Sequence, residues 1–235
     1  MPQGTFTNAW ISETAKILFR GSPAPDATKF YVGLADTDAL TRASTIASFV
    51  AKELVPESNY TRANLTLSGD GSYNSAANRH ELPTATITFT AGDTSWQFQT
   101  AFLIANAHQT CSVAFTNSNV NAATDRIAIA SHPWIAGDRL VFTADELATL
   151  PTGIDAGTIY QVLSPTTNDF QIATLGSSTP VNIQNTGAGT FRARSANGIV
   201  SVFAVEPSPI TLLPGRSYAY QIPIALLNTG FVSGN

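Results

Sequence analysis

Charge, thiols and lysine are all scarce in this chain. Only 12% of its 235 residues are Asp, Glu, Lys or Arg, about half the usual share. Serine, threonine, asparagine and glycine carry the polarity instead. Such a surface suits sheets and protein–protein packing, and it does not suit the steering of a charged ligand. The three lysines, Lys16, Lys29 and Lys52, all fall in the first quarter, the arginines are scattered, and the net charge is -4. With no basic run, nothing would displace the counterions of a nucleic acid, which argues against DNA or RNA as a partner. The single cysteine, Cys111, rules out an internal disulfide or a cysteine metal cluster and reads as a small buried hydrophobe. No run approaches the roughly 18 apolar residues of a membrane helix. The start lacks a basic n-region, and the first apolar stretch already carries Glu13, Lys16 and Arg20. The expectation is a protein made in a cytoplasm, not exported by the secretory route and without membrane contact.

What is present is apolar and strand-like. Hydrophobic residues make up 43% of the chain and aromatics 9%, enough for a core in one large domain or two small ones. "NAWISETAKILFRG" predicts one amphipathic helix, capped by Asn8 and ended by Gly21, with Ile11, Ala15, Leu18 and Phe19 on one face packing on a sheet. "STIASFVAKEL", with Ser44 or Thr45 as cap, reads as a short helix or a loop turn. "KFYVGLA", "NYTRANLTL", "TATITFTA" and "SWQFQTAFLIANA" read as strands, with turns at "GDG" and "AGD". After Gly198, "GIVSVFAVEPSPITLLPGRSYAYQIPIALL" predicts two apolar strands pairing as a hairpin around "LPGRS", and the tail "NTGFVSGN" is expected to lie over the surface.

A second compositional unit runs over 110–194. Its strand candidates are "CSVAF", "DRIAIA", "RLVFT", "TIYQVL", "DFQIAT", "VNIQ" and "GTFRAR", separated by "AGD", "PTGIDAG", "TTND" and "NTGAG". The ordered phrases "DRIAIASHPWIAGDRLVFT", "LPTGIDAGTIYQVL", "NDFQIAT" and "VNIQNTGAGTF" resemble a small β module that recurs in structural proteins of tailed bacteriophages. In that pattern a strand leads to a His-containing turn and Gly-Asp, a Leu-Pro-x-Gly turn precedes a Gly-Thr-x-Tyr strand, and a Gly-x-Gly-Thr stretch closes the unit. Trp134 and Gln161 sit where the pattern is loose. The flanks resemble a virion sandwich or jelly-roll, in which a Tyr-x-Arg strand precedes an "ITF" strand and a Trp-containing one. The resemblance implies an all-β fold with one N-terminal helix. A jelly-roll-like sandwich of residues 1–109 plus 195–235 would carry a small sandwich or barrel, residues 110–194, inserted in a loop. Insertion at an exposed loop is physically cheap, because loop-closure entropy grows slowly with length.

Chemistry-bearing residues are sparse. Ser131, His132 and Asp138 invite a hydrolase reading, but adjacent residues at a strand end point to opposite faces, and no Gly-x-Ser-x-Gly elbow exists. Asp138 after Gly137 reads as a turn residue bonding its own backbone. His80 and His108 lack metal-ligand spacing, Asp36 and Asp38 lack the rest of a calcium loop, and Asp145 and Glu146 read as a solvated turn or capping pair. No catalytic, metal or cofactor-binding residue is assigned and no cofactor is expected. Tyr and Trp are favoured at interface centres, so Trp10, Trp134, Tyr218 and Tyr220 are the candidate subunit-interface residues. The resemblance implies a non-enzymatic virion protein located in the virion. Its first form is a capsid decoration or cement protein, homotrimeric, with the major capsid protein and its own copies as partners. The alternatives are a tail, baseplate or fibre component and, after these, a carbohydrate-binding or depolymerase module.

Overall fold

The structure, a computed structural model, describes residues 5–26, 28–55, 59–66, 71–76, 79–81, 85–222 and 225–227. Among the described residues the fold is mostly β, with two α-helices and several antiparallel sheets. Five strands form the first sheet: β1 (Thr5–Phe6), β15 (Ile199–Leu212), β7 (Trp96–Ala105), β2 (Phe30–Ala35) and β3 (Ala63–Asn64), in that spatial order. Both of its faces are covered, so β2 and the second half of β7 read as continuous apolar runs. Ala101, Leu103 and Ala105 face a core shared with Ile87 and Phe89 of β6 (Ala85–Thr90). Phe102 and Ile104 face the other way, onto Phe49 of α2 (Ile46–Lys52).

The turns "AGD" and "LPGRS" do not make hairpins. β6 pairs with β16 (Ser217–Ile222), whereas β7 pairs with β15 and β2. Each turn therefore carries the chain from one layer of the sandwich to the other. The two corners run side by side and bond each other: the Ala91 N–H donates to the Arg216 carbonyl at 3.0 Å, and the Gly215 N–H donates to the Ala91 carbonyl at 3.0 Å. Turn residues specify a reversal of direction, and tertiary pairing decides which strand receives it. In β15 the segment 206–209, containing Pro207 and Pro209, bulges out between Val205 and Ile210, as strand prolines without an N–H must. A small three-stranded sheet joins β17 (Ala225–Leu227), β5 (Arg79–Glu81) and β4 (Ser72–Asn74). The "GDG" turn before β4 and the "NTGFVSGN" tail lie outside the described residues in whole or part.

A seven-stranded antiparallel sheet takes all its strands from Ser112–Ser195: β8 (Ser112–Thr116), β14 (Thr190–Ser195), β11 (Arg139–Ala144), β12 (Ile159–Leu163), β13 (Asp169–Thr174), β10 (Arg126–Ala128) and β9 (Val120–Asn121). Side chains from every strand meet in one core that includes Phe115, Phe142, Phe170 and Phe191. "VNIQ" is not a strand. It is a loop that drops Ile183 into this core, held by the Val181 N–H on the Ile172 carbonyl at 2.8 Å. The entering and leaving strands are neighbours, with Ser112 opposite Arg194.

The N-terminal helix α1 (Asn8–Arg20) sits differently from its expected packing. Its cap is Thr7, not Asn8: the buried Thr7 hydroxyl accepts from the Trp10 N–H at 3.1 Å and donates to the Val200 carbonyl. The Thr7 N–H also donates to the Ser201 carbonyl at 3.1 Å, and these two bonds to the sheet fix the rotation of the first turn. Trp10, Glu13, Thr14 and Ile17 become the half-buried face, and Ile11, Ala15, Leu18 and Phe19 are left exposed. Gly21 ends the helix in the left-handed region, φ 68°, as expected.

Candidate functional site

The junction between the two large sheets holds most of the buried charge. α2 is the wedge. Phe49 faces the first sheet, against Phe102 and Phe203 at 5.3 and 5.4 Å between ring centroids. Ala47 and Val50 face Val141 of β11 and Ala196. Glu53 follows the helix and is 3% exposed. Its carboxylate receives a two-pronged bond from the Arg62 guanidinium, Nε at 2.8 Å and Nη2 at 2.7 Å, and a third from the Tyr60 hydroxyl at 3.0 Å. Gly33 makes the room, since a Cβ there would lie 2.8 Å from Glu53 Oε1 and 2.4 Å from the Phe102 ring.

Arg62 then reaches across the junction. It donates to the His108 carbonyl at 3.1 Å and to the Ser195 carbonyl at 3.0 Å, one on each connecting segment. Arg194 reaches back from β14, donating to the Val50 and Glu53 carbonyls at 3.0 and 2.8 Å. These carbonyls lie at the C-terminal end of α2, where a cation suits the helix dipole; the Val50 carbonyl also accepts from the Glu53 N–H at 3.4 Å. Burial pushes the Tyr60 hydroxyl well above its ordinary value, and nearby Glu53 adds to it. Burial likewise pushes the Cys111 thiol up to about 12, so it stays a protonated, inert hydrophobe. The arrangement locks two sheets into one orientation; it offers no reacting group to solvent. Sequence reasoning missed Glu53 and Arg194. The Tyr-x-Arg spacing does place Tyr60 and Arg62 on one strand face, but nothing local names a carboxylate from a helix end as their partner.

Beside this lock, an open cleft of about 700 Å³ lies between the connecting segments and the turn before β11. Asp138 is its organiser. Its carboxylate accepts from the Ile135 N–H at 2.9 Å, as the turn reading expects. It also meets His108 Nε2 at 3.2 Å and the Asn197 amide at 2.8 Å. Partial burial pushes Asp138 up, but the bonds from His108, the Ile135 N–H and Asn197 outweigh it, and the carboxyl sits below its ordinary value. The unfolded chain therefore takes up this proton first as pH falls. The stabilisation is complete above the ordinary carboxylate value near 3.9 and is lost as pH falls through the folded value. Asp138→Asn is expected to remove this component, so its urea midpoint falls less than the parent's between pH 7 and pH 3.

Ser131, His132 and Asp138 are not brought together. Ser131 is exposed at φ 54°, and His132 Nε2 lies 3.3 Å from the Asp169 carbonyl. The His132 ring stacks on Trp134 at 5.7 Å and meets Phe170 edge-on at 5.0 Å. Trp134 is 2% exposed in the seven-stranded core, so its ring serves packing and presents no surface to another chain. Trp10 is half-buried against the first core. Tyr218 and Tyr220 share a face of β16, their rings 6.4 Å apart, with Tyr218 edge-on to Phe98 at 5.3 Å; both stay half-buried. Burial and Glu206 raise both phenols, Tyr220 to about 12. Asp145 opens a turn, as expected, its carbonyl accepting from the Ala148 N–H at 3.0 Å; its half-buried carboxylate is also clasped by Arg192 with bonds of 2.8 and 2.9 Å. The His80 side chain lies outside the described residues. Among the described residues no three His, Cys, Asp or Glu side chains converge as a metal set, and no helix is long and apolar enough to cross a membrane.

No family model, curated protein or solved structure matches the chain.

Proposed function

We propose that the chain is a non-enzymatic structural protein of a phage virion, acting as a decoration or cement protein on the capsid. The observation that supports it most is the outer face of α1. Ile11, Leu18 and Phe19 are 46%, 68% and 77% exposed on a helix that is otherwise well anchored. Together they leave nearly two whole large side chains of apolar surface in water, worth about 3–6 kcal/mol on burial. An i, i+4, i+7, i+8 stripe of this kind is what a helix presents to a groove on another chain. In this reading the groove belongs to the major capsid protein. The half-buried Tyr218 and Tyr220 contribute to contacts among copies, arranged as a trimer. Residues 1–109 and 195–235 form the jelly-roll-like body, and the inserted unit of 110–194 projects from it. The phrases that resemble the phage β module and the low share of charged residues support the same reading.

The experiment is incubation of the purified chain with undecorated capsids, followed by sedimentation and imaging. Saturable binding at hundreds of sites per particle is expected. Leu18→Glu combined with Phe19→Glu is expected to abolish binding while changing stability by no more than about 0.5 kcal/mol, as surface substitutions do. Undiminished binding by that variant would sink the reading. Six to a few dozen copies at the tail of the native particle would replace the capsid with a tail, baseplate or fibre position.

A further inference from the structure

We propose that the cleft beside the junction is a binding site for an acidic saccharide, a sugar ring carrying a carboxylate. This inference rests on the cleft alone and is independent of the capsid reading. The cleft's volume of about 700 Å³ lies within the range of small-ligand sites. Its lining is dominated by donors. The one carboxylate, Asp138, is already occupied by three partners on its two oxygens. Lys29, Arg139, Asn106 and Gln109 line the cleft with it. Lys29 is engaged only by Asp26 at 4.0 Å among the described residues. Arg139 is exposed, and its side chain makes no ion pair or hydrogen bond among the described residues. Such a set wants an anion, and an arginine fork suits a carboxylate.

Two features point from a bare anion to a sugar. Tyr31 and the 67% exposed Ile135 also line the cleft. They give an aromatic and an aliphatic surface for the C–H face of a ring. The Asn106 and Gln109 amides supply the donors and acceptors that ring hydroxyls need. Two cations are too few for a nucleic acid.

The site is also preorganised. The Asn197 Oδ1 accepts from the Arg139 N–H at 2.7 Å, and the Asn106 Oδ1 accepts from the Asp26 N–H at 2.9 Å. The Arg62 bonds to the His108 and Ser195 carbonyls brace both connecting segments behind it. A rigid frame saves the ordering cost that weakens loop-built sites.

The test is calorimetric titration of the full chain with trigalacturonic acid. Maltotriose, sodium sulfate and triglutamate serve as comparison ligands. Saturable binding of trigalacturonic acid is expected, with maltotriose and sulfate at least tenfold weaker. Arg139→Gln and Lys29→Gln are each expected to weaken it several-fold, and together at least tenfold. Ser131→Ala, outside the cleft, should leave it unchanged. Four results would each overturn the proposal: no saturable binding, sulfate binding as tightly, triglutamate binding more tightly, or full affinity in the double variant. Triglutamate as the tightest ligand would mark the cleft as a site for an acidic peptide instead.

Discussion

Arg62→Met is expected to lower the unfolding free energy by about 3–5 kcal/mol, because it leaves a buried carboxylate without its partner. Glu53 and Arg62 have side-chain exposures of 1% and 0%, so neither water nor salt replaces the lost bonds. Three carbonyl and carboxylate acceptors lose donors in one step: Glu53, His108 and Ser195. The measurement is a urea unfolding curve at pH 7. Glu53→Gln in the Arg62→Met background is expected to recover part of the loss, since it removes the uncompensated charge while keeping the volume. A loss below about 1 kcal/mol in the single variant would show that the junction is solvated and carries no such lock. Because Arg62 bonds to both connecting segments, the variant is also expected to lose cooperativity. Trp96 lies in the first core and Trp134 in the second, and their fluorescence should no longer change together.

Phe49→Ala is expected to cost about 3–5 kcal/mol, the range for emptying a buried aromatic site. Phe49 is fully buried and touches rings from two strands of the first sheet. On so short a helix no other residue can refill that space. Thermal unfolding followed by far-UV circular dichroism would check it. Ala47→Ser on the opposite face, packed on Val141 and Ala196, is expected to be milder because it removes no volume. If Phe49→Ala costs as little as a surface change, α2 is not the wedge described above.

The strands were legible in the sequence wherever the apolar pattern was long and bounded by turn residues. "KFYVGLA", "RLVFT" and "DFQIAT" became β2, β11 and β13. The errors lie where local signals leave the partner open. "LPGRS" announces a reversal, but whether the next strand pairs with β15 or with β6 depends on residues more than a hundred positions away. The amphipathic face of α1 was read correctly as apolar and wrongly as inward. Periodicity finds a stripe, whereas the Thr7 anchor decides which way it turns. "VNIQ" alternates like a strand but plugs a core through Ile183. The cleft was half visible: Asp138 as a turn former follows from Gly-Asp, and the missing half was His108, thirty residues upstream. The Glu53–Arg62–Arg194 lock joins three separate segments, and no window of sequence contains it.

The position of the seven-stranded sheet sets an order of events for the newborn chain. β7 and β15 pair from Ala105 opposite Ile199 onward, so that hairpin has the whole of β8–β14 in its loop. While that segment is unstructured, closing the hairpin means bringing together two distant points on a floppy chain. Once β8 and β14 are paired, their ends lie side by side and the effective loop shrinks by roughly three doublings, easing closure by about 2 kcal/mol. The later part of the chain thus waits on the middle. Synthesis delivers β7 with β2 already beside it, but β7 acquires β15 on its other edge only after the intervening strands have assembled.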